Sequence, residues 1–171
     1  MKTQKMVIMG VSGCGKSLIG SLLAEKLQLP FFDGDDYHSS ENIRKMSQGV
    51  PLTAQDRQGW LETLNMLITQ NSNIVLACSA LNPEYRKILS RHNPDLVFIY
   101  LQGDFDTIWQ RHQKRDDHYF NGKSLLESQF AALVEPSVTE ALIIDIRQTV
   151  KQLIDDILHK LTIINNYPQT A

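Results

Sequence analysis

Cysteine is nearly missing from this sequence: there are two in 171 residues, Cys14 and Cys78, far apart and without metal-ligand spacing. That excludes a disulfide-framed secreted scaffold and a thiolate zinc site, and it predicts two free thiols. Charge of one sign is missing too. Lys and Arg number 17 against 19 Asp and Glu, a formal net charge of −2, so no global field draws the chain to nucleic acid or to an anionic membrane. No apolar run approaches the roughly 18 residues of a membrane span, and the stretch before Gly10 is too short for a secretory signal. The expectation is a cytoplasmic protein without nucleic acid or membrane among its partners. Any anion it binds must be held by a local site.

Against these absences stand 42% hydrophobic and 21% charged residues, the balance of a packed globular fold rather than a disordered chain. Short apolar runs alternate with longer amphipathic stretches, which predicts an α/β fold with a central parallel sheet of about five strands. The candidate strands are residues 6–9, 31–33, 74–78, 96–101 and 142–146, each nearly continuous in apolar residues, as strands buried on both faces are. Ile19, Leu22, Leu23 and Leu27 form one helical stripe. Val150, Leu153, Ile154, Ile157, Leu158 and Leu161 form another. Pro83 fits the first turn of a helix and Pro94 the loop before the fourth strand. The expected organisation is a single domain over 1–164, with a polar insertion at about 36–70 and a tail over 165–171.

Gly10-Val11-Ser12-Gly13-Cys14-Gly15-Lys16-Ser17 satisfies G-x-x-x-x-G-K-[ST] between an expected strand and an expected helix. Glycines let the backbone wrap a polyphosphate, and successive N–H groups with the helix N-terminus face the anion. In such a loop Lys16 reaches the β- and γ-phosphates of ATP and Ser17 ligates Mg²⁺. The loop alone does not separate a kinase from a nucleotide-dependent switch. The third strand ends Ala77-Cys78-Ser79-Ala80 without a carboxylate, and no guanine-reading Asn-Lys-x-Asp is present. The acid is therefore sought in Asp33-Gly34-Asp35-Asp36, after the second strand, where the carboxyl ends of parallel strands open into one crevice. Asp33 is the candidate metal partner, and Asp35 the acceptor of a proton from an attacking alcohol. By itself the tetrapeptide suits a turn with solvated acids equally well; the neighbouring P-loop turns it towards function.

These residues resemble the gluconate kinases of the thermoresistant-glucokinase type, small P-loop kinases related in fold to shikimate and adenylate kinases. The likeness rests on Gly10–Ser17, Asp33-Gly34-Asp35 with His38, Asn42 to Leu52, Asp56-Arg57 with Trp60-Leu61, Cys78 to Leu81, Tyr85-Arg86 and Ser128-Gln129-Phe130. It implies transfer of the ATP γ-phosphoryl group to the 6-hydroxyl of D-gluconate, and a homodimer. It also implies Asp35, His38, Arg57 and Arg86 as substrate-binding groups, with a cation meeting the acid end of the substrate. Adenylylsulfate and shikimate kinases fit less well, because Asp36-Tyr37-His38 and Ser79-Ala80-Leu81 depart from their patterns. Ser39 and Gly59 replace prolines usual in the resembled family, and loosened backbone turns are expected there. In related kinases a lid closes over the phosphates, here at about 111–124. Within it Arg115 is the candidate for neutralising the transferring phosphoryl group, and Arg111 for lying against adenine. His112 and His118 lack the neighbours of a zinc site. Cys14, near a helix N-terminus and Lys16, both of which lower a thiol pKa, leaves two readings open: a redox-sensitive brake, or a small inert residue that fits the loop, as most free cysteines are.

Overall fold

The computed structural model describes residues 4–114 and 122–166. Five parallel strands, β1 (Gln4–Met9), β2 (Phe31–Asp33), β3 (Asn73–Ala77), β4 (Leu96–Gln102) and β5 (Ala141–Asp145), form one sheet in the order β2-β3-β1-β4-β5. Seven helices are described: α1 (Lys16–Leu27), α2 (Ser40–Ser47), α3 (Ala54–Gln70), α4 (Pro83–Ser90), α5 (Phe105–Gln113), α6 (Gly122–Ala132) and α7 (Val150–Asn166). Residues alternate faces along a strand, and β1 shows the result. Ile8 packs into a core with Ile19 and Leu23 of α1 and Ile157 of α7. Val7 and Met9 pack on the other face with Leu61, Leu64 and Ile68 of α3 and Leu89 of α4. Burial on both faces is why the strands read as continuous apolar runs.

The expected strands agree with these elements to within one or two residues at each end, the scatter usual at element boundaries. Pro83 opens α4, capped by Asn82, whose side chain accepts from the Tyr85 amide. The last helix runs on to Asn166, into the span expected as tail. No helix among the described residues is long and apolar enough to cross a membrane.

The two exchanged prolines are accommodated without the loosened turns expected for them. Ser39 caps α2, its hydroxyl accepting from the Asn42 amide at 3.1 Å. Gly59 lies inside α3, where an added Cβ would meet open space.

The order of strands sets the site. The chain leaves β1 for β2 and β3 on one side and reaches β4 and β5 on the other, so the crevice at the carboxyl end of β1 lies at the switch point, where open α/β sheets bind ligands.

Candidate active site

The P-loop follows β1 at that switch point. Its entry is fastened by the Gly10 amide, which donates to the Ser79 carbonyl beyond β3 at 3.2 Å. Gly10 has φ +144°, and a Cβ there would stand 2.7 Å from Cys14 Sγ and 3.0 Å from the Leu101 carbonyl, so only glycine lets the loop fold this tightly. Gly15, in a left-handed conformation, begins α1 without any side-chain cap. Among the described residues, the amides of Gly13, Gly15 and Ser17 have no protein acceptor, which leaves them for an anion, while the Lys16 amide faces the Cys14 sulfur. Lys16 Nζ donates to the Val11 carbonyl at 3.2 Å, holding the ammonium against the loop.

Cys14 takes the inert of its two readings. It is 1% exposed, and burial pushes its pKa up despite the Lys16 charge and the nearby backbone N–H groups. Desolvation therefore outweighs the electropositive setting, and the side chain serves as core. Cys78 is likewise buried, its thiol pushed up to about 12 by desolvation.

β2 delivers the acids. Asp33, its last residue, pairs in register with Ala77, and its carboxylate accepts from the Ser17 hydroxyl. Its other oxygen accepts from the Asp35 amide at 3.1 Å, starting a short 3-10 turn over Gly34–Tyr37 that carries Asp35 out at the crevice. Burial, and then the Asp33 carboxylate, push the Asp35 carboxyl above its ordinary pKa. With 85% of that side chain open to solvent, desolvation is incomplete and deepens once an acceptor covers it.

Trp60 of α3 is the wall on which this turn leans. Its indole N–H donates to the Gly34 carbonyl at 2.7 Å, and its ring stacks on His38, centroids 4.3 Å apart and planes 14° from parallel. His38 Nε2 stands 4.0 Å from Asp35 Oδ1, while its Nδ1 is buried without a partner. Burial lowers the His38 pKa, outweighing the opposing pull of the Asp35 carboxylate, and Arg57 adds to the lowering, so the neutral ring prevails near pH 7. Arg57, also on α3, lies within 3.5 Å of the Tyr85 hydroxyl. Asp56 and Lys45 form a 2.7 Å ion pair joining α3 to α2. Asp56 also completes a capping box with Thr53, and these bonds bring its pKa down to about 2.

The remaining candidates separate. Arg86 is 5% exposed, with Nη1 donating to the carbonyls of Ala80 (3.1 Å) and Val134 (3.2 Å) and Nη2 3.7 Å from Glu140. These bonds brace the loop after β3 against the segment after α6 and leave only its buried Nε without a partner. Arg111 donates to the Ile146 carbonyl beyond β5. Arg115 and His118 lie outside the described residues. Two contacts were not legible in sequence: Gln129 of α6 and His112 of α5 both reach Ser12 in the P-loop. Among the described residues no three His, Cys, Asp or Glu side chains gather as a metal site.

Known proteins match this arrangement along its length. The family model for shikimate kinase matches residues 12–162. The thermosensitive gluconokinase of Escherichia coli K12 is 45% identical over 85% of this chain and 80% of its own. The thermoresistant gluconokinase of the same organism is 44% identical over 86% and 87%. A solved gluconokinase from Sinorhizobium meliloti 1021 superposes with a TM-score of 0.88 at 35% identity, covering 95% of this chain and 94% of its own. On sequence and fold together, the chain belongs to the gluconokinase family of shikimate kinase-type P-loop kinases.

Proposed function

We propose that this enzyme transfers the γ-phosphoryl group of ATP to the 6-hydroxyl of D-gluconate, giving 6-phospho-D-gluconate and ADP. The observation that carries the reading is the contact of Asp33 with Ser17 of the P-loop, with Asp35 two residues on: one acid meets the nucleotide side of the crevice and the other is open to an acceptor. Asp35 takes the proton of the 6-hydroxyl as its oxygen bonds to the γ-phosphorus. The bond from that phosphorus to the β–γ bridging oxygen breaks, and ADP leaves with the electron pair. The raised Asp35 pKa makes its carboxylate a stronger base than an ordinary aspartate.

The free amides of Gly13, Gly15 and Ser17 hold the phosphates, with the Lys16 ammonium along the β- and γ-groups. Ser17 and Asp33 offer two hard oxygen donors already in contact, a set that suits Mg²⁺ completed by phosphate oxygens and water. When bound, the ion neutralises developing phosphate charge. Arg111, beside the β5 exit, takes the adenine face, and Arg115 the transferring phosphoryl group. On the acceptor side, His38 and Arg57 hold the polyhydroxy acid, the neutral imidazole bonding hydroxyls and the guanidinium the carboxylate. Arg86, its Nη atoms committed, has only Nε to give. A cytoplasmic setting follows from the need for ATP.

An ADP-release assay across D-gluconate, shikimate, adenylylsulfate, nucleoside monophosphates and aldoses tests the reading. Stimulation by gluconate alone is expected; turnover driven instead by shikimate or adenylylsulfate overturns it.

A further inference from the structure

The Ser12 peptide is gripped at both ends by side chains from outside the P-loop. Gln129 Oε1 accepts from the Ser12 amide at 2.5 Å, and His112 Nε2 lies 3.1 Å from the Ser12 carbonyl. A carbonyl only accepts, so the imidazole carries its proton on Nε2 and donates. The ring also presses against the next residue: a Cβ on Gly13 would stand 2.3 Å from that same nitrogen.

Both polar residues occupy the inner stripes of their helices. On α6, Leu126 is buried and Phe130 packs edge-on against Phe105 at 5.5 Å; Gln129 falls between them at helical spacing. On α5, Ile108 is buried, and Arg111 and His112 follow at i+3 and i+4. A glutamine and a histidine on core-facing stripes need partners, and Ser12 supplies one to each.

We propose that Gln129 and His112 are positioning residues for phosphoryl transfer, clamping the Ser12 peptide so that α5 and α6 set the shape of the P-loop turn leading into the free Gly13 amide. Neither touches the reacting atoms. Their effect passes through the loop backbone, where small displacements of phosphate-binding groups are felt strongly in rate. The inference rests on the ATP-to-gluconate reading for its rate arm only, since the shape of the loop is also read by ADP alone.

The test compares the parent with Gln129→Met, His112→Leu and His112→Gln, the last keeping a side-chain N–H within reach of the carbonyl. Gln129→Met and His112→Leu are each expected to lower kcat about tenfold or more and to raise the calorimetric Kd for ADP, with the gluconate KM unchanged. His112→Gln restores most of both losses. The double variant falls short of the product of the two single effects, because both act on one peptide. Thermal midpoints near that of the parent separate this outcome from simple unfolding. Values of kcat and ADP Kd within about twofold of the parent in both loss variants, or His112→Gln no better than His112→Leu, overturn the clamp. ADP binding needs no acceptor, so a failure of gluconate as substrate and a failure of the clamp are distinguishable.

Discussion

Replacing Trp60 by phenylalanine separates the wall of the acceptor crevice from the nucleotide side. The change removes the indole N–H that donates to the Gly34 carbonyl at 2.7 Å and shrinks the ring stacked on His38. Weakening the satisfaction of a buried carbonyl costs about 1–3 kcal/mol, and the smaller apolar area that a single ring buries costs about 1 kcal/mol more. Trp60 is 6% exposed, so solvent offers little compensation. A total of about 3 kcal/mol in a domain of this size lowers Tm by about 6–12 °C. The same change frees the turn carrying Asp35 and unseats His38, so KM for gluconate rises while ADP binding, on the P-loop side, keeps its affinity. Differential scanning calorimetry with steady-state kinetics reads both. A Tm drop below about 2 °C with an unchanged gluconate KM refutes the assignment of Trp60 as the support of that turn.

Asp35→Asn is expected to lower kcat about a hundredfold or more while leaving ADP affinity intact. In the parent, the acid limb of kcat/KM for gluconate falls as Asp35 becomes protonated; the folded pKa is raised, so that fall begins at a higher pH than for an ordinary aspartate. The variant loses this limb, and an unchanged limb in a pH–rate series excludes Asp35 as the base. Both thiols are expected to react with a disulfide reagent only as the protein opens, since Cys14 and Cys78 are 1% and 2% exposed and their pKa values are raised. A fast-reacting thiol equivalent in the native protein contradicts that burial.

The strands and the P-loop are legible in the sequence because each obeys a local rule. Doubly buried strands such as β1 must be continuously apolar, and a phosphate cradle must place glycine where Gly10 meets Cys14 and Leu101. Asp33 and Asp35 are legible through their place at a strand end. What is not legible depends on distant partners. Arg86 bonds the carbonyl of Val134, 48 positions away, and Gln129 the amide of Ser12, 117 positions away. Neither backbone group leaves a mark in composition or spacing. Cys14 stays open in sequence for a related reason: the neighbouring charge is visible there, while the burial that overrides it comes from packing. Gly59 suggests a loosened turn only because of the proline it replaces; the helix running through it is set by the Thr53–Asp56 cap and by Trp60, Leu61 and Leu64 on its buried face.

Proton-coupled ³¹P NMR of the product tests the central claim most directly. A phosphate ester on a primary carbon couples to two methylene protons and appears as a triplet, whereas an ester on a secondary carbon gives a doublet. The account predicts a new triplet, formed only when ATP and D-gluconate are both present, with ADP appearing in equal amount. A doublet, or ADP without any new ester resonance, contradicts it.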